Sequence, residues 1–250
     1  MASYSKKLDG KVALVTGASR SLGAAIARRL AADGASVALT YSSSPEKAKA
    51  VVDEIETAGG KALALKADAA NADATRAAVA TTVETFGAIH VLVNNARVLA
   101  INPIEKFSLE DFDRMMAVNI RGLFVATQEA ARHMPAGGRI IHIGSCNSER
   151  IPFPGASVYA LTKGAVAAFT KGLARDLGPR GITVNNVQPG PTDTDMNPAV
   201  GQFADLNRSF TALNRYAKPD EIASFVAYLA SPEAGFITGA SLLVDGGYTA

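Results

Sequence analysis

The sequence predicts an α/β domain, a parallel sheet covered by helices on both faces. Short β-branched runs alternate with longer Ala-rich helical patterns along all 250 residues. Of these residues 48% are hydrophobic and only 19% charged, enough apolar material for one large core. No internal repeat, low-complexity tract or linker interrupts the rhythm, so one domain over 1–250 is expected.

Strands are predicted at 12–16, 36–41, 62–67, 90–94, 139–144, 182–188 and 241–245, and helices near 24–32, 45–58, 72–86, 109–133, 159–177 and 220–230. Pro45 and Pro219 fall near helix starts, where a missing amide donor costs little. Gly34, Gly59 and Gly178 mark helix ends. The irregular stretch 189–218 is long for a compact domain, which predicts a functional loop.

With 25 basic and 23 acidic residues the net charge is +2, so no global field favours nucleic acid or an anionic membrane. Small-molecule partners are expected. Cys146 is the only cysteine, which excludes an internal disulfide and fits a reducing cytoplasm. The polar lead Met1-Ala2-Ser3-Tyr4-Ser5-Lys6-Lys7 has no apolar segment behind it, so no secretory signal is expected. Nowhere does an apolar run reach the roughly 20 residues of a spanning helix, and a soluble protein is expected. His90, His133 and His142 lack metal-ligand spacing, so no metal is expected.

Directly after the first strand comes Thr16-Gly17-Ala18-Ser19-Arg20-Ser21-Leu22-Gly23, running at once into Ala24-Ala25-Ile26-Ala27. A tight turn between strand and helix lets a pyrophosphate approach backbone amides at the positive end of the helix dipole. The same turn also suits an ordinary strand-to-helix connection. An NAD-preferring site places Asp or Glu at the end of the second strand. Here the chain reads Thr40-Tyr41-Ser42-Ser43-Ser44, with no carboxylate before Glu46. Nothing there repels a 2′-phosphate, and Ser42, Ser43 and Arg20 can bind it, so NADP(H) is favoured over NAD(H). Those serines equally suit a polar turn ahead of Pro45.

Tyr159 and Lys163 stand four residues apart on a predicted helix, hence on one face. A neighbouring ammonium favours the phenolate and lowers a tyrosine pKa from about 10. Upstream, Ser145 leaves the C-terminal end of a predicted strand, the edge where open α/β sheets bind ligands. Its hydroxyl can donate to a substrate carbonyl as charge develops on oxygen. Ser148 is a rival three residues on; Ser145 is preferred because it directly follows Gly144 and the strand.

The ordered set of Thr16-Gly17 with Gly23, Asn94-Asn95-Ala96, Asn119, Ser145, Tyr159 with Lys163, Pro189-Gly190 and Asp245-Gly246-Gly247 resembles the short-chain dehydrogenase/reductase family over nearly the whole chain. Within it, the chain is most similar to β-ketoacyl-carrier-protein reductases and related carbonyl reductases, many of them homotetramers. The resemblance implies a single Rossmann-type doubly wound domain with a seven-stranded parallel sheet. It also implies NADPH-dependent carbonyl reduction by Asn119, Ser145, Tyr159 and Lys163. Tyr159 would move the proton, Ser145 orient the carbonyl, Lys163 hold the nicotinamide ribose and lower the tyrosine pKa, and Asn119 support a water-linked relay. Cofactor contacts are expected from Gly17, Ser19, Arg20, Ser21, Leu22 and Gly23 in the turn and from Tyr41, Ser42 and Ser43. Asp68 would contact adenine, beside Ala69. Asn95 and Ala96 would flank the riboses, and Pro189, Gly190, Thr192 and Thr194 would cover the nicotinamide. Singly, Asn119 also suits backbone bonding within a helix, Asp68 a helix cap and Ser145 a strand end.

Three positions depart from the family pattern. Ser21 replaces a glycine, which is harmless only if its φ stays negative. Arg97 replaces the glycine after Asn-Asn-Ala and can reach the cofactor, the active-site mouth or solvent. Arg180 matches one of two carrier-docking arginines while Ala136 stands in place of the other, which favours a free ketone over a carrier-bound chain. Pro152, Phe153, Pro154, Met196, Phe203, Leu206, Phe210 and Leu213 suit an apolar pocket and lid, or else core or subunit contacts. Cys146 is expected to be an inert thiol.

Overall fold

The computed structural model describes residues 6–201 and 203–250. The first five residues of the polar lead lie outside them. Seven strands occur among the described residues: β1 (Val12–Val15), β2 (Ser36–Tyr41), β3 (Lys61–Lys66), β4 (Val91–Asn94), β5 (Arg139–Ile143), β6 (Thr183–Pro189) and β7 (Ser241–Val244). They form one parallel sheet in the order β3-β2-β1-β4-β5-β6-β7. The chain winds outward from β1 to β3 and returns to place β4 beside β1. Connections therefore leave these two strands in opposite directions, and a crevice opens beyond their C-terminal ends.

Strand alternation sends Ala13, Val15 and Val93 to one face and Leu14 and Leu92 to the other. The first face is covered by α1 (Ser21–Ala32), α2 (Pro45–Thr57) and α8 (Pro219–Ala230), through Ile26, Leu30, Val51, Ile55, Ile222 and Val226. The second is covered by α3 (Ala72–Phe86), α5 (Leu123–His133) and α6 (Ser157–Leu177), through Val79, Ala130 and Leu173. Both faces are sealed, which fits a parallel sheet.

Three sequence expectations change. The helix expected over 109–133 is divided into α4 (Leu109–Met115), a π-helical turn (Met116–Gly122) and α5. Asn119 lies in that turn, with its side chain bonded to both backbone groups of Val98, and such turns often mark functional sites. The loop 189–218 carries a short helix, α7 (Ala204–Ser209). Gly178 keeps helical dihedrals (φ −52), and the reversal after α6 comes at Gly181 (φ 69).

Candidate active site

A cleft opens over the C-terminal ends of the strands. Its walls include residues at or just beyond the ends of β1, β2, β3, β4 and β6, among them Tyr41, Ser42, Asp68, Ala69, Ala96 and Thr194. The whole turn Ser19–Gly23 lies along it with Gly17. Gly17 takes φ 63, and a Cβ there would sit 2.9 Å from Ala96 Cα. At Gly23 a Cβ would come within 2.6 Å of Asn95 Nδ2. Glycine is needed at both positions for the turn to close against the β4 end.

The Thr16 hydroxyl accepts hydrogen bonds from the Asn95 and Ala96 amides (3.0 and 3.1 Å), and Asn95 Nδ2 donates to the Thr16 and Gly17 carbonyls (3.0 and 2.9 Å). Asn95 Oδ1 is buried without a partner among the described residues, an acceptor suited to a ribose hydroxyl. No side chain caps the N-terminus of α1, so its first amides remain available to a phosphate. These features fit the dinucleotide that the turn predicts.

Ser21 does not keep a negative φ. It sits at φ 48, the left-handed region, at a cost of about 1–2 kcal/mol for a non-glycine residue. Its hydroxyl accepts the Asp195 amide at 3.1 Å, bridging the turn to the loop after β6. Hydrogen bonding to Ser21 holds the Asp195 carboxyl below its ordinary value, helped by Lys47 and Arg20, although partial burial opposes them. Lys47 Nζ and Arg20 Nη1 approach that carboxylate at 3.3 and 3.6 Å. Asp68 accepts the Ala70 amide (2.9 Å) and pairs with Arg114 (3.2 Å). Burial works against its charge, yet the amide and guanidinium together keep its pKa low. Asp68 does not cap α3; that role belongs to Asn71.

Beside the cleft, α6 presents Tyr159 and Lys163 one turn apart, both buried. Lys163 Nζ donates to the Ile143 carbonyl at 2.8 Å and lies 5.7 Å from the Tyr159 ring centroid. Ser145 follows β5 by two residues, and its Oγ accepts the Asn147 amide at 3.2 Å. Ser148 donates instead to the Ser145 carbonyl at 2.8 Å and accepts from Gln188, leaving Ser145 as the hydroxyl beside Tyr159. Asn119 Nδ2 also donates to Thr162 Oγ1 at 3.2 Å, which ties the π turn to α6.

Burial pushes the Tyr159 phenol above its ordinary value, against the attraction of the Arg97 guanidinium and hydrogen bonding with Ser145. The attraction expected from Lys163 thus comes from Arg97. Burial, reinforced by Arg97, brings Lys163 down to about 7. His142, wholly buried beside Asn94, is pushed down to about 3 by burial and Lys163 and stays neutral. Burial and Asp245 raise the Cys146 thiol to about 12, so it stays protonated.

A sequence profile described as Enoyl-(Acyl carrier protein) reductase matches residues 17–249. A solved short chain dehydrogenase from Burkholderia cenocepacia, in complex with NADP, superimposes with a TM-score of 0.96 at 52% identity, covering 98% of this chain and 100% of that one. The chain belongs to the short-chain dehydrogenase/reductase family. Elsinochrome reductase 1 of Elsinoe fawcettii is 39% identical over 96% of this chain and 95% of its own. The cyclic-di-GMP-binding biofilm dispersal mediator protein of Escherichia coli is 45% identical over 96% and 98%.

In this member of the family, most expected cofactor residues line the cleft, but some do not. Ser43 is exposed on the rim side of β2. Pro189 ends β6 opposite Val244, Gly190 packs on Asp245, and the Thr192 hydroxyl donates to the Gly190 carbonyl at 3.0 Å. Sequence reasoning missed Arg114, Val118 and Asp195 in the walls. Only a fold that brings α4 and the late loop over the turn reveals them. Met196, Phe203, Leu206 and Leu213 are exposed, which sets aside the core reading for these four.

Lys163 gives the fold a pH dependence whose sign is defined. In the unfolded chain a lysine titrates near 10.4, whereas in the fold Lys163 titrates at about 7. Between those values the unfolded chain holds the extra proton, so this residue makes the fold more stable as pH rises from about 7 towards 10. Urea midpoints at pH 7 and pH 9 should show the wild type gaining on Lys163→Met over that interval, and parallel midpoints would contradict the shift.

Proposed function

We propose that this enzyme uses NADPH to reduce a small free ketone or related carbonyl compound to a secondary alcohol, with the reverse oxidation at high pH. The Tyr159 and Ser145 hydroxyls, side by side where the C-terminal end of β5 meets the N-terminal end of α6, carry this reading. Two hydroxyl donors that converge on one position suit a carbonyl oxygen on which charge develops. Ser145 orients and polarises that oxygen. Tyr159, kept protonated by its burial, donates its proton there and recovers it in the oxidation direction. Bound NADPH supplies the hydride to the carbonyl carbon. Lys163, fixed by the Ile143 carbonyl, is placed to hold the nicotinamide ribose, and Asn119 positions the π turn against α6 to support a water-linked relay.

NADP(H) over NAD(H) is supported by the absence of a carboxylate between Tyr41 and Glu46 and by Ser42 in the cleft wall. Among the described residues Arg20 and Lys47 are engaged only by the exposed Asp195 carboxylate, a weak pairing that a phosphate can replace. The Burkholderia relative is described with NADP. A carrier-bound substrate is disfavoured because the Arg180 guanidinium is spent on the Ala131 and Met134 carbonyls. A noncatalytic nucleotide-binding role would not require the full set Asn119, Ser145, Tyr159 and Lys163; the Escherichia coli relative's name records cyclic-di-GMP binding for that protein.

The described residues include no helix long and apolar enough to cross a membrane. We place the protein in the cytoplasm on its single buried thiol. The chain would act as one catalytic domain, with 189–218 as its substrate loop. A homotetramer is supported by Phe124 and Leu161, exposed on α5 and α6, and by β7, an edge strand with Leu243 exposed. Light scattering should return four times 25.8 kDa; a monomer would contradict this assembly. Initial rates on one ketone should favour NADPH over NADH, and Tyr159→Phe should lose about 10²–10⁴-fold in reduction while binding NADPH normally. A clear NADH preference would overturn the reading of Arg20 and Ser42, and undiminished turnover in the variant would remove Tyr159 from the chemistry.

A further inference from the structure

Three arginines line the cleft: Arg20, Arg97 and Arg114. Two of them face a carboxylate, Arg20 that of Asp195 at 3.6 Å and Arg114 that of Asp68 at 3.2 Å. Arg97 differs. It is half-buried, follows Ala96 at the C-terminal end of β4, and forms no ion pair and no hydrogen bond with a carboxylate among the described residues. Leaving a guanidinium partly desolvated without a counter-charge is costly, and such a group is satisfied when an anion enters.

The position of Arg97 says which anion. The pyrophosphate has its own site at the uncapped N-terminus of α1, along Ser19–Gly23. Arg97 stands instead next to Val98, which packs on the cluster of Met115, Val158 and Tyr159, and its charge reaches both the Tyr159 phenol and the Lys163 ammonium. Lys163 already has the Ile143 carbonyl as an acceptor. Next to Arg97, Val98 lines the cleft, and behind it Leu99, Phe107 and Phe112 pack with it around Met115, Val158 and Tyr159. A small substrate that places its carbonyl oxygen between Ser145 and Tyr159 would therefore meet, beside the phenol and an apolar cluster, a guanidinium that has no carboxylate partner among the described residues.

We propose that Arg97 determines specificity by pairing with a carboxylate close to the reacting carbonyl, so that the preferred substrates are short 2- or 3-oxo acids. This deepens the carbonyl-reductase reading and rests on it. The guanidinium fork matches a carboxylate with two parallel hydrogen bonds, which a lysine or glutamine cannot reproduce. Because Arg97 lies near the tyrosine that touches the carbonyl oxygen, a carboxylate one or two carbons from that carbonyl suits it best.

The test compares pyruvate and acetoacetate with their ethyl esters, using NADPH and the full-length wild type, Arg97→Lys and Arg97→Gln proteins, with NADPH affinity measured separately by fluorescence titration. The wild type should favour each acid over its ester in kcat/KM. Arg97→Gln should lose about 10- to 100-fold more on the acids than on the esters, the excess falling on KM, while the loss of its action on Tyr159 lowers kcat for both alike. Arg97→Lys should recover part of the loss, and all three proteins should bind NADPH alike. Esters reduced as well as or better than acids by the wild type would overturn the inference while leaving NADPH-dependent reduction intact. Weaker NADPH binding by Arg97→Gln would assign Arg97 to the cofactor. A kcat/KM loss equal on acids and esters, with a displaced pH profile, would assign it to Tyr159 alone. Either result overturns the proposal. Failure to reduce any of the four compounds would remove the carbonyl-reductase reading and the inference together.

Discussion

Where β1 and β4 part, Thr16 and Asn95 join the two strand ends with four hydrogen bonds, and the rest of the site is set out from that clamp. The strand order requires connections to diverge here, so backbone groups at these ends have no further strand to pair with. The clamp satisfies them internally. It also brings the Gly17 turn against Ala96 so closely that only glycine fits at two positions of the turn. The cleft floor is consequently rigid, while the amides of α1 and Asn95 Oδ1 remain available above it. Asn119 extends the same bracing sideways through Val98 to the π turn and through Thr162 to α6, the helix that carries Tyr159 and Lys163.

Stability is given up where the site is built. A buried lysine, a neutral buried histidine and a serine at φ 48 each break a local rule that the surrounding fold obeys. Lys163 is tolerated because the Ile143 carbonyl receives one of its protons. Ser21 is tolerated because its hydroxyl gains the Asp195 amide. That second compensation links the phosphate turn to the loop after β6, so the two walls of the cleft are held in register by the Ser21 hydroxyl.

Much of this was legible in the sequence, since strand periodicity and the rhythm of helices report burial directly. The seven strands lie within a residue or two of expectation, and the glycine turn, Asn95, Ser145, Tyr159 and Lys163 lie where their order implies. The π turn was not legible, because inserting one residue into a helical turn leaves the apolar spacing over 109–133 almost unchanged. Arg97 was visible as an oddity without a direction. Whether a long cation turns to solvent or to a phenol depends on neighbours 62 positions away, and no local pattern carries that. Asp195 was hidden for the same reason: its partners Arg20, Ser21 and Lys47 are more than a hundred residues distant.

Proton movement by Tyr159 has meaning only if a hydride passes directly from cofactor to substrate carbon at this site. Reduction of a ketone with NADPH carrying deuterium at the transferable C4 position, followed by mass spectrometry of the alcohol, tests this most directly. One deuterium on the carbinol carbon in ordinary water, with none acquired there when unlabelled NADPH is used in D₂O, is the expected result. A carbinol hydrogen drawn from solvent would contradict it.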